Sequence, residues 1–336
     1  MLLVLESTCD ETAAALIDEH LNVRGSSVAT QDELHQVFGG VVPEIASRAH
    51  VERILPVIDQ CLKRAGATLA DVSAVAVANT PGLAGSLLVG ISAAKALCVA
   101  LNVPLVAVNH IHAHVYACRL AAGADVFPCV GYVVSGGHTT LFRCESPLEF
   151  HVLGGTLDDA AGEAFDKTAS LMGLPYPGGP HIEKAAAGGN PKAYRFPRTF
   201  LNEDRIEFSF SGLKTAVRYA IAPQGTELVA PPAGSQLLAD LAASFQQAVI
   251  DVLIGKAEQA LRKTGYATLC VGGGVAANGT FRKQLEERMQ KLRVNLHIAP
   301  RELCTDNAVM GAIAWERLRA GLTESLELDA VPGLMR

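Results

Sequence analysis

The chain has 336 residues, 49% of them hydrophobic and 18% charged, with a formal net charge of −6. That length and balance describe one large or two ordinary folded domains and exclude a disordered or fibrous chain. The acidic excess gives no global pull on nucleic acid, so a polyanion partner needs a local patch or a helper protein.

Residues 2–5 form a short apolar run without a basic flank, which reads as a first strand and not as a signal peptide. No run reaches the ~18 apolar residues of a membrane span, so no membrane partner is expected. Eight cysteines are scattered without a C-x-x-C pair, which points to reduced thiols in a cytoplasmic protein. Residues 13–17 and 23–29 give two more strands. The connecting loop Glu6-Ser7-Thr8-Cys9-Asp10-Glu11-Thr12 is rich in hydroxyls and carboxylates. It can hold an anionic ligand or a metal, or be a polar hairpin turn. Pro43 opens a helix whose apolar residues, from Ile45 to Leu62, fall at helical spacing, and Gly66 marks its end. A buried-type strand over 72–77, a helix ending near Leu101 and a strand over 103–108 complete an α/β order.

That last strand runs into Asn109-His110-Ile111-His112-Ala113-His114. If the chain turns helical there, His110 and His114 lie one turn apart on one face, a claw suited to zinc or ferrous iron. If it stays extended, all three histidines share a face, which is also a metal geometry. A helix end whose histidines satisfy carbonyls is the third reading. The carboxylate base of a zinc peptidase is missing, because Ile111 stands where H-E-x-x-H needs it.

The second half begins like the first: strand 128–134, the turn Ser135-Gly136-Gly137-His138-Thr139, strand 140–144. The repeat predicts two related lobes facing each other across a cleft, 1–125 and 126–336, with a helix over 306–320 able to pack back on the first. The glycines of this turn let backbone amides approach a phosphate or carboxylate, although most such loops are simple turns. A helix near 158–167 opens with dipole-favourable carboxylates, which leaves the deeper Asp166 unexplained. Tyr176-Pro177-Gly178-Gly179-Pro180 is a rigid turn before a short helix carrying Glu183, and Ser211 is a candidate helix cap. Residues 221–234, rich in Pro, Gly and Ala, read as a mobile surface loop, and 237–262 as a long amphipathic helix. Strand 268–271, then Gly272-Gly273-Gly274 and Asn278, make a nucleotide-type junction that lacks both the P-loop and the dinucleotide spacing. Asp306 is either the N-cap of a helix over 308–319 or the carboxylate of a two-histidine, one-carboxylate site.

Taken in order, these motifs resemble the tRNA N6-adenosine threonylcarbamoyltransferase family, once labelled O-sialoglycoprotein endopeptidases. The likeness covers nearly the whole chain. It is carried by the 6–12 loop, Gly39-Gly40-Val41-Val42-Pro43-Glu44 through His50, Lys95 through Val115, Val134 through Thr139 and Asp158 through Lys167. It continues in Tyr176 through Pro180, Phe208 through Lys214, Gly272 through Asn278, and Cys304 through Asn307. The resemblance implies an actin-like/sugar-kinase (ASKHA) fold with ligand in the interlobe cleft, and transfer of a threonylcarbamoyl group from threonylcarbamoyl-AMP to adenosine 37 of tRNAs reading ANN codons. It implies His110, His114 and Asp306 as ligands of one divalent metal, iron ahead of zinc. Val134, Ser135, Gly136, Gly137 and His138 would meet the acyl and phosphate part, and Asp166, Gly179, Glu183 and Asn278 the adenosine. Asp10 or Glu11 would accept the proton. The implied partners are tRNA, a degenerate paralogous subunit docking on the helix after Pro43, and a small P-loop ATPase. The chain departs from the family pattern at Ser7-Thr8, where Thr-Ser is usual, at Glu183, often Asp in bacterial relatives, and at Val133, where archaeal and eukaryotic relatives have Tyr. A small-molecule kinase of the same fold is the rival reading, but it leaves the histidine pair idle; a metallopeptidase lacks its base.

Overall fold

A computed structural model describes residues 1–223 and 225–333. The chain divides into two compact units: residues 1–125, 146–150 and the stretch from 305 on; and residues 126–145 with 151–304. The second unit thus ends at Cys304, and the last stretch of chain belongs to the first.

The first unit is built on β1 (Leu2–Glu6), β2 (Glu11–Ile17), β3 (Val23–Thr30), β4 (Ala74–Thr80) and β5 (Leu105–Asn109), in the order β3-β2-β1-β4-β5. β2 is antiparallel to β1 and β3, while β4 is parallel to β1 and β5. β1 and β4 are buried at every position, as central strands covered on both faces are, and their polar residues Glu6, Asn79 and Thr80 stand at their ends. Leu3, Leu5, Val75 and Val77 pack with Ile54, Val57 and Ile58 from the helix Pro43–Ala65, and with Leu87 and Ile91 from the helix Ala84–Leu101. Gly66, at φ 61°, ends the first of these by donating its N–H to Leu62 and Lys63 carbonyls.

The second unit repeats the plan with β6 (Cys129–Val134), β7 (Thr139–Ser146), β8 (Glu149–Gly155), β9 (Thr268–Gly272) and β10 (Asn295–Ile298), ordered β10-β9-β6-β7-β8. Counted within each unit, both sheets run third, second, first, fourth, fifth strand. Both start with an antiparallel pair and continue through parallel strands. The repeat seen as strand, turn, strand in the sequence is therefore a repeat of whole sheets.

Three expectations need correcting. The helices Ala84–Leu101 and Gln236–Thr264 are long and apolar enough, by length and composition, to cross a membrane, contrary to the reading that no such run exists. Their apolarity comes from leucine, isoleucine and valine together with alanine, and polar residues interrupt both. Ala84–Leu101 packs on β4 and on the helix Pro43–Ala65, and Gln236–Thr264 is mostly buried within its own unit. The tail helix is split into a 3₁₀ turn, Val309–Ile313, where Gly311 lies flush against Val4 of β1, and a short helix, Ala314–Arg319. Asp306 caps nothing there; Asn307 Oδ1 accepts the Met310 N–H instead, at 3.2 Å. Residues 222–234 carry no helix or strand, with Gln224 outside the described residues.

Candidate functional site

Asn109 decides the conformation of the histidine stretch. Its Oδ1 accepts the N–H groups of Ile111 and His112, at 2.9 and 3.2 Å, which caps a helix over His110–Ala122. The extended alternative is excluded. His110 and His114 share one face, 4% and 0% exposed, with ring centroids 4.8 Å apart and edge-on. His112 points elsewhere and stacks on Phe150 at 4.0 Å, where burial pushes its pKa down to about 4.

Asp306 closes the group. Its Oδ1 lies 3.4 Å from His110 Nε2 and 3.1 Å from His114 Nε2. One ligand atom from each of the three residues lies within 4.8 Å of the others. Behind His110, Nδ1 meets Glu6 Oε2 at 3.0 Å and Thr8 Oγ1 at 3.2 Å. Burial alone would lower the pKa of His110, but the Asp306 and Glu6 carboxylates outweigh it and raise it well above the usual value. Burial would raise Asp306, yet the two imidazoles hold it well below the carboxylate range. Two buried nitrogens and a carboxylate oxygen, backed by a second carboxylate, form a donor set and a charge that suit iron(II) or zinc. The residues fit the ion.

Asp10, Glu11 and Asp32 form a second carboxylate group in the same unit. Burial first, then the charges of Asp306 and Asp10, raise Glu11 well above the usual range, so Glu11 feels the triad's field.

The remaining candidates lie in the second unit. The Ser135–His138 turn closes on itself: Ser135 N–H donates to His138 O at 2.7 Å, and His138 N–H to Ser135 Oγ at 3.1 Å. The carbonyls of Ser135 and Gly136 accept from Gly162 and Glu163 of the helix Ala161–Leu171, while Gly136 and Gly137 are exposed with open space at the Cβ position. Two glycines press on this turn from behind. A Cβ on Gly162 would sit 2.7 Å from Gly136 Cα and Ser135 O, and one on Gly273, at φ 96°, 2.5 Å from Val134 O. The glycine junction after β9 is thus a backbone-on-backbone contact supporting the 134–138 turn.

Asp166 Oδ1 accepts the Gly178 N–H at 2.7 Å and so holds the start of the helix Gly178–Ala186, which carries the open Gly179 and Glu183. Glu183 Oε1 accepts the Gly279 N–H at 2.7 Å. The neighbouring Asn278 caps the helix Gly279–Leu292 through Phe281 N–H and donates Nδ2–H to Gln246 Oε1 at 2.8 Å. Asp166, Gly179, Glu183 and Asn278 thus belong to one connected wall. An open groove of about 980 Å³, lined by Glu183, Gly279, Lys283 and Arg288 among others, meets this wall only at Glu183. Sequence reasoning placed Glu6 only within the 6–12 loop as a whole and Gly273 only within a nucleotide-type junction, and it gave Gly162 no role; the contacts of these three residues were not foreseen.

Two units of one topology, each with a polar turn between its first two strands, define an actin-like/sugar-kinase architecture, here carrying a histidine–histidine–aspartate cluster. Solved structures agree on the fold. Full-length HypF in its phosphate- and nucleotide-bound form matches with TM-score 0.61 and 14% identity, over 96% of this chain and 47% of that one. Component A of the Acidaminococcus fermentans (R)-2-hydroxyglutaryl-CoA dehydratase matches with TM-score 0.54 and 14% identity, over 94% and 97%. The family model described as "TsaD: tRNA N6-adenosine threonylcarbamoyltransferase" matches residues 22–313. Proteins of that description from Rhodopirellula baltica and Syntrophobacter fumaroxidans are 52% and 48% identical, covering 100% and 98% of this chain and 97% and 98% of their own. The chain belongs to the tRNA N6-adenosine threonylcarbamoyltransferase family, and it is an acyltransferase.

Proposed function

We propose that this chain transfers the threonylcarbamoyl group of threonylcarbamoyl-AMP to N6 of adenosine 37 in tRNAs reading ANN codons. The observation that carries the metal-assisted form of this reading is the buried convergence of His110 Nε2, His114 Nε2 and an Asp306 oxygen in a member of this family. N6 attacks the acyl carbonyl, AMP leaves, and N6 gives up a proton. An aromatic amine is a weak nucleophile, so alignment and carbonyl polarisation dominate. A divalent iron or zinc held by His110, His114 and Asp306 would supply Lewis acidity to the acyl group.

The chain's own residues do the rest. The exposed Gly136 and Gly137 amides, on a turn whose carbonyls are already engaged, suit an acyl or phosphate oxygen. The open Gly179 and the Oε2 of Glu183 suit the adenylate's ribose, with Asp166 and Asn278 fixing the backbone around them. Asp10 or Glu11 takes the proton, and burial with the charges of Asp306 and Asp10 makes the Glu11 carboxylate more basic than an ordinary one. On the helix Pro43–Ala65, Val51 and Leu55 are 63% and 67% exposed, a face suited to a paralogous subunit of the same fold. A small P-loop ATPase and a cytoplasmic setting complete the reading. A kinase of this fold would leave the triad without use.

Incubation with threonylcarbamoyl-AMP and unmodified tRNA, with and without those partners, should add the threonylcarbamoyl mass to one nucleoside and release AMP; consumption of ATP with phosphorylation of a small acceptor would favour the kinase. The raised pKa of His110 makes protons compete with metal. Apparent zinc affinity should therefore keep rising with pH beyond the ordinary imidazole value of about 6.5. A competition titration showing a plateau from about pH 7 upward contradicts this.

A further inference from the structure

Glu6 ends β1 and is 3% exposed, so its charge needs compensation within the protein. Both of its oxygens are engaged. Oε1 accepts the Thr8 N–H at 2.7 Å and Oε2 faces His110 Nδ1 at 3.0 Å. Thr8 Oγ1 lies 3.2 Å from the same nitrogen. His114 differs, since its buried Nδ1 has no hydrogen-bond partner among the described residues. The two imidazoles are not equivalent.

We propose that Glu6 is the positioning residue of the cluster: it fixes His110 as the Nδ1–H tautomer, aims its Nε2 lone pair at the ligand position beside Asp306, and makes His110 the stronger imidazole ligand. This rests on the reading that His110, His114 and Asp306 hold a divalent metal. With Nε2 given to the metal that Asp306 also holds, the neutral imidazole keeps one N–H, and Glu6, which can only accept, fixes it on Nδ1. The Thr8 hydroxyl can donate or accept and so cannot choose a tautomer by itself. Its backbone N–H holds the Glu6 carboxylate in the orientation that reaches His110. A carboxylate behind an imidazole also raises the basicity of the far nitrogen.

The test measures zinc affinity of the full chain by competition with a chromophoric chelator, for the wild type, Glu6→Gln and His110→Ala. Glu6→Gln keeps shape but no longer enforces acceptance, and should weaken zinc by about 10- to 100-fold without changing the stoichiometry. Affinity within about twofold of wild type, while His110→Ala loses the site, overturns the role of Glu6 and leaves the metal reading standing. Equal zinc binding by wild type and His110→Ala removes the metal reading and this proposal together. If Glu6→Gln does not fold, ¹⁵N spectra of histidine-labelled, zinc-loaded wild type decide. A His110 Nδ1 proton shifted well downfield of the His114 one, assigned by its absence in His110→Ala, supports the proposal; matching shifts for the two overturn it.

Discussion

Asp306→Asn should lower threonylcarbamoyl transfer by at least about 10³-fold, with circular dichroism unchanged. Lewis-acid stabilisation contributes several kcal/mol, and each ~1.4 kcal/mol is tenfold in rate, so losing a charged ligand has an effect of that order. The substitution is isosteric and sits where the side chain is only 19% exposed, so packing survives while the anion that faces both Nε2 atoms is lost. Combining it with His114→Ala should add little, because residues that hold one ion act as a unit. Single-turnover transfer on modification-free tRNA reads the effect. A rate within tenfold of wild type would mean that the triad is structural.

Gly162→Ala should cost about 10²-fold in transfer and raise the KM for the adenylate. The added methyl would lie 2.7 Å from Gly136 Cα and Ser135 O and 2.8 Å from Gly136 N, all backbone. None of these is a flexible side-chain end, so the Ser135–Gly136 turn or the helix start must move. Because the carbonyls of that turn accept from Gly162 and Glu163, moving it also breaks the bonds that aim its amides. An overpacked contact of this kind costs about 1–3 kcal/mol of stability as well, readable by urea unfolding. Gly273→Ala attacks the same turn through Val134 O and adds strain at φ 96°. Unchanged kinetics in Gly162→Ala would show that the turn does not touch the substrate.

Much of this was legible in the sequence, and the reasons differ by residue. Strands such as Leu2–Glu6 and Ala74–Thr80 announce themselves because central strands covered on both faces read as near-continuous apolar runs, here broken only at their last one or two residues. The His110–His114 pair was visible because helical spacing is local, once Asn109 stops the strand. Asp306, 192 positions beyond His114, stayed ambiguous because a cap and a ligand look alike in sequence and only the tertiary fold separates them. Glu6 meets His110 across 104 positions, and Gly162 matters only through what lies behind it; neither leaves a periodic trace. The apolar helices were underrated because Ser86, Ser92 and Lys95 in one and Asp240, Asp251 and Lys256 in the other break any continuous apolar run, while the average over each helix stays apolar. Family likeness supplied the substrate, which no spacing rule contains.

The claim on which the rest depends is that His110, His114 and Asp306 hold one divalent metal together. Anomalous diffraction at the metal edge, from crystals of protein purified anaerobically, tests it directly. The account predicts one peak per chain, bonded to both Nε2 atoms and to the Asp306 carboxylate. A metal bound elsewhere in a chain that still transfers the acyl group, or full transfer by protein with no peak, would contradict it.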